Sequence, residues 1–145
     1  MRSYKQSEGE LDTEKCESLK RELSSQTEHP VVPISRFFDG NDDIGSIGCN
    51  LTDHPGIETF RNTLTGLLSR ANVEAVFALI SEVDPGEDCW PFADTVFVMG
   101  AISDKEIKIA LASLEPDEIF PANASMVPTS LSEKYRCPIW AVWWD

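Results

Sequence analysis

Two kinds of hydrophobic pattern alternate along this chain, and their periods separate helix from strand. Ile57, Phe60, Leu64, Leu67 and Leu68 recur at offsets of 0, 3, 7, 10 and 11, one face of a 3.6-residue period, and predict a helix with Pro55 in its first turn. Residues 73–83 (VEAVFALISEV) form instead a nearly continuous apolar, β-branched run, the pattern of a central strand covered on at least one face. Asp84-Pro85-Gly86 stops that strand, a loop follows through Pro91, and residues 95–99 predict the next strand. Ser103-Asp104-Lys105-Glu106 is a capping box, with Ile102 able to staple onto Ile107. The helix it opens has Ile107, Ala110, Leu111 and Leu114 as its apolar face, and Pro116 ends it.

The remaining segments carry weaker signals. Residues 31–38 (VVPISRFF) read as a first strand, with Pro33 at its start or on a sheet edge. Asp39-Gly40-Asn41-Asp42-Asp43 is dense in turn formers, and residues 44–51 beyond it are a candidate hairpin partner weakened by Gly45 and Gly48. Residues 115–133 hold three prolines and predict an irregular connection with a brief extended piece at Ile119-Phe120. Residues 139–144 (IWAVWW) form a closing aromatic strand. Residues 1–29 lack aliphatic density and are expected to be flexible, or to form one marginal helix on the sparse stripe Leu11, Cys16, Leu19 and Leu23.

Strand, helix, strand, strand, helix, strand is the order βαββαβ. It predicts an α+β fold of ferredoxin-like sandwich type, an antiparallel sheet with two helices on one face and residues 44–51 as an optional extra strand. Residues 30–145 are expected to be one domain, since the 145-residue chain is of ordinary single-domain length.

Charge changes the functional picture more than it changes the fold. The chain has a formal net charge of -13, and residues 30–145 hold 18 acids against 7 bases, so the excess belongs to the folded part. Between Arg70 and Lys105 lie Glu74, Glu82, Asp84, Glu87, Asp88, Asp94 and Asp104 with no base. Such a field repels nucleic acid and attracts basic partners. The opening MRSYKQSEGELD has no apolar run and no stretch suits a membrane span, so a cytoplasmic protein is expected. Cys16, Cys49, Cys89 and Cys137 show no metal-type pairing and read as four separate thiols.

Four groups of residues are candidates for chemistry. Asp39, Asn41 and Asp43 alternate as the first oxygen ligands of a calcium loop do, which suggests calcium or magnesium. The pattern then departs from a calcium loop at Ile44 and Asn50, and the competing reading is a polar turn bonded to its own backbone. Cys49, Asp53 and His54 are close in sequence, yet no oxyanion motif accompanies them. Glu82, Asp84, Glu87, Asp88 and Trp90 combine carboxylates with an aromatic anchor, as a surface for a basic protein would, against the plainer reading that Trp90 packs in the core. In the last strand, alternation sends Trp140 and Trp144 to one face and Trp143 to the other, where it is a candidate contact residue.

These observations favour a non-enzymatic acidic binding protein, an inhibitor or immunity-type domain for a basic partner. The alternatives are a metal-dependent or hydrolytic enzyme using residues 39–54, and a structural homo-oligomer, a homodimer for instance, built on the tryptophan strand.

Overall fold

The computed structural model describes residues 12–145. Leu11, the first residue of the N-terminal stripe, lies outside them. The rest of that stripe forms α1 (Thr13–Ser24), capped by Asp12, whose carboxylate accepts the Lys15 N–H at 3.1 Å. A helix this polar is marginal alone. Here Cys16, Leu19 and Leu23 are all buried in the main core, so tertiary packing holds it.

The strand expected over residues 31–38 stops at Pro33. Only Val31–Pro33 (β1) is extended, and Ile34–Phe38 turn into a short helix, α2. The physical reason is the spacing of its apolar residues: Ile34, Phe37 and Phe38, at offsets 0, 3 and 4, reach the core together only on a helical period. β1 is an edge strand, where a proline without an N–H is tolerated. The hairpin partner at residues 44–51 is likewise replaced, by a single 3₁₀ turn at Ile44–Ser46 and one isolated bridge from Ile47 to Ala93. Local side-chain bonds compete with a ladder there. Gly48 sits at φ +64°, and a Cβ on it would lie 2.8 Å from the Phe60 ring.

The strongly patterned elements form as expected. α3 (Ile57–Leu68) buries Ile57, Phe60, Leu64 and Leu67, though it starts after Gly56 and leaves Pro55 just outside. β2 (Val73–Glu82) and β3 (Phe92–Gly100) make the central hairpin. α4 (Asp104–Ala110) opens on a complete capping box, Glu106 N–H to Ser103 Oγ at 3.1 Å and Ser103 N–H to Glu106 Oε1 at 3.0 Å, with Ile102 and Ile107 buried beside it. After a 3₁₀ turn, Glu115 in the left-handed region (φ 49°) ends the helical path. β4 (Glu118–Pro121) realises the brief extended piece, α5 (Thr129–Lys134) is an addition to the expected elements, and β5 (Ile139–Trp143) closes the sheet.

The result is the expected α+β sandwich on a five-stranded antiparallel sheet, ordered β1-β2-β3-β5-β4. In this order β1 lies at an edge beside β2 and β4 at the other edge beside β5, so chain neighbours mostly pair directly. Residues of α1, α2, α3 and α4 join Val76, Ala78, Val96, Val98 and Val142 in the main core. The opposite face is covered too, by Val127 and Leu131 over Ala75, Phe97, Met99 and Ala141. β2 and β3 therefore carry apolar residues on both faces, which accounts for their unbroken hydrophobic runs. Among the described residues no helix is long and apolar enough to cross a membrane.

Candidate functional site

Antiparallel pairing gathers the ends of β2 and β5 with the starts of β3 and β4 at one end of the sheet. That end carries Glu82, Asp84, Glu87 and Asp88 on the β2–β3 connection, Asp94 in β3, and Asp117, Glu118 and Asp145 beside β4 and β5. Arg70 and Arg136 precede the starts of β2 and β5 and so belong to the opposite end. Folding thus gathers eight carboxylates into an acidic pole, tempered by Lys20, which pairs with Asp84, and by Lys105 and Lys108, which line one cavity with Asp117 and Glu118.

Glu82, Asp84, Glu87 and Asp88 are all exposed, on a loop held from beneath at three points. The buried Lys20 of α1 donates to the Gly86 carbonyl at 2.9 Å and pairs with Asp84 at 2.9 Å. Burial is the largest single influence on Lys20 and acts to lower its pKa, but the hydrogen bond to Asp84 and the nearby charges of Cys16, Asp84 and Glu17 together outweigh it, so the ammonium is held above its usual 10.5. Cys16 Sγ lies 3.5 Å from the Cys89 carbonyl, and burial pushes its thiol up, away from nucleophilic use. The third hold is the Trp90 N–H, which donates to Asp43 Oδ2 at 3.0 Å.

Trp90 corrects the reading of that tryptophan as a surface anchor. It is 0% exposed and belongs to the main core, and its indole Nε1 has no hydrogen-bond partner among the described residues. The apolar ring repays burial better than exposure, and the loop turns inward to deliver it. Phe92 is half-buried.

The oxygens of Asp39, Asn41 and Asp43 are turned to the protein's own donors. Asn41 Oδ1 accepts the Asp43 N–H at 2.8 Å, and its amide donates to Ser46 Oγ at 3.0 Å. Asp43 Oδ1 accepts the Gly45 N–H at 2.9 Å while Oδ2 takes Trp90. Asp39 faces away to Lys15, 2.7 Å distant. These are the bonds of a polar turn that also braces the acidic hairpin. His54 has both ring nitrogens committed to backbone: Nδ1 accepts the Gly56 N–H at 2.9 Å, and the remaining Nε2–H points at the Ile47 carbonyl at 2.8 Å. That leaves no ring nitrogen to serve Cys49 or Asp53, both of which are exposed.

Trp140 and Trp144 face the main core, their indole N–H groups donating to the carbonyls of Ile102 (2.9 Å) and Leu114 (2.8 Å). Trp143 points to the opposite face and is half-buried. Sequence reasoning missed Lys20, whose signal was a base four residues beyond Cys16 on an otherwise apolar stripe. It also missed the Asp43–Trp90 link, which spans 47 residues and has no local signal.

A family model described as "YfbO: Uncharacterized protein YfbO family" matches residues 14–142, from the first turn of α1 to within β5. The chain belongs to that family. It is also similar to the Escherichia coli (strain K12) "Uncharacterized protein YfbO", 27% identical over 93 residues, which is 63% of this chain. The match spans 65% of that relative's length. No solved structure matches. The family match includes α1, in keeping with its place in the core.

Proposed function

We propose that this chain is an acidic binding protein whose hairpin end engages a basic protein partner, in the manner of a small inhibitor or immunity-type domain that covers a cationic surface. The observation that carries the reading is a loop hydrogen-bonded to the core at its base that displays carboxylates. Glu82, Glu87 and Asp88 are exposed, while Lys20, Cys16 and Asp43 fix the backbone that presents them. A loop whose conformation is already set loses little entropy on binding, and its field speeds encounter with a cation-rich surface.

Affinity capture from the native host's lysate at low salt, with a salt gradient for elution, tests the reading. A single basic protein retained in stoichiometric amount and lost when Glu87→Lys and Asp88→Lys are combined is the expected result. Retention of the same protein by the double variant refutes the hairpin as the contact. Retention of no basic protein refutes the function.

A further inference from the structure

The second sheet face is covered unevenly. α5 and the segment before it close over Ala75, Phe97, Met99 and Ala141, whereas the row nearest the acidic hairpin runs Val31, Leu79, Thr95, Trp143 and Glu118 as direct cross-strand neighbours. Trp143 lies outside the second core and stays half-open, unlike Trp90 and Trp144, which are 0% and 2% exposed. Direct cross-strand neighbours share a face and touch, so its indole stands beside the exposed Glu118. The Trp143 carbonyl accepts the Asp117 N–H at 2.8 Å, and Asp117 Oδ2 accepts the Asp145 N–H at 2.6 Å. These bonds fix Asp117 and Asp145, and strand pairing fixes Glu118, around the end of β5; Lys105 and Lys108 line one cavity with Asp117 and Glu118 and leave carboxylates in excess there.

We infer that this half-open sheet face is a docking surface for the basic partner, with an arginine of that partner stacked on the Trp143 indole and paired with the Glu118 carboxylate. The inference rests on the proposed function and adds its contact chemistry. Charge complementarity selects the occupant. A second copy of this chain, at -13, would bring like charge against Asp117, Glu118 and Asp145. A neutral apolar partner would strip water from Glu118 and return no hydrogen bond. A guanidinium offers a flat face to the indole and a two-pronged donor to the carboxylate, whereas a lysine ammonium is a compact point charge that lacks that geometry.

The test is fluorescence anisotropy at low salt with labelled hexa-arginine and hexa-lysine peptides of equal charge and the full chain. The wild type should prefer hexa-arginine. Trp143→Thr should weaken hexa-arginine by about fivefold to tenfold and erase the preference, while Trp143→Phe retains part of it. Should Trp143→Thr fail to fold, Glu118→Gln at its exposed edge position reads the same contact and should lower the preference. Equal binding of the two peptides, binding of neither, or unchanged hexa-arginine affinity in both variants overturns the stacking contact. A basic protein captured from lysate by the wild type and lost with the Glu87→Lys, Asp88→Lys pair would in that case leave the proposed function standing.

Discussion

Replacing Asp43 by alanine separates a structural brace from a cation ligand at the same residue. Asp43 is 8% exposed and accepts two backbone N–H groups, Gly45 at 2.9 Å and the buried Trp90 amide at 3.0 Å. A hydrogen bond to a charged acceptor is worth about 1.5–3 kcal/mol, and a buried amide left without a partner costs about 1–3 kcal/mol. The half-exposed Gly45 amide regains water, and removing a buried carboxylate relieves its own desolvation, so the net loss comes to about 2–4 kcal/mol. For a chain of 145 residues that lowers Tm by about 5–15 °C. Asp43→Asn keeps one acceptor oxygen and should lose about half as much. Urea denaturation of wild type, Asp43→Ala, Asp43→Asn and the exposed control Asp88→Ala measures the series. If Asp43→Ala lies within about 0.5 kcal/mol of wild type, the brace does not exist. If calcium or magnesium raises the wild-type Tm and Asp43→Ala abolishes that response, the residue is a cation ligand.

Three further outcomes follow from the packing. Leu19→Ala, at a position that is 0% exposed in α1, should cost about 2–5 kcal/mol in urea denaturation; a loss under about 1 kcal/mol would make α1 peripheral. Gly100→Ala should cost more than about 3 kcal/mol or prevent folding, because Gly100 has φ +153° and a Cβ there would meet the Asn72 carbonyl oxygen at 2.2 Å; soluble expression with a wild-type Tm refutes this. The Glu106 carboxyl is held below its usual 4.5 by the Ser103 N–H, and that of Glu28 by the Thr129 hydroxyl and N–H. Depressed folded values mean stability present above the usual carboxylate range and lost as pH falls through the folded pKa. Glu106→Gln and Glu28→Gln should therefore flatten the fall in Tm below about pH 4.5, and an unchanged acid profile in both counts against these bonds.

The elements legible in the sequence are those whose side chains announce their own period. The offsets of Ile57, Phe60, Leu64 and Leu67 located α3, and Ser103 with Glu106 located the start of α4, since a cap and its helix are neighbours in the chain. The run at residues 73–83 signalled a strand covered on at least one face, and the cores on both sides of the sheet account for its being apolar on both. Residues 31–38 misled because Ile34, Phe37 and Phe38 are strand formers by type and helical only by spacing, a spacing too short to outweigh composition.

The acidic pole shows where such reading ends. Composition determined the sign of the surface charge, and the order of residues determined the patterned helices, the central strands and the alternation that sends Trp143 away from Trp140 and Trp144. Both left open that the ends of β2 and β5 meet the starts of β3 and β4, that Lys20 reaches Gly86 across 66 residues, and that Trp90 is drawn inward by Asp43 across 47. Local periodicity records which face of an element is apolar. Which faces meet, and which polar groups pair across them, is decided only when burial of the whole chain selects one packing.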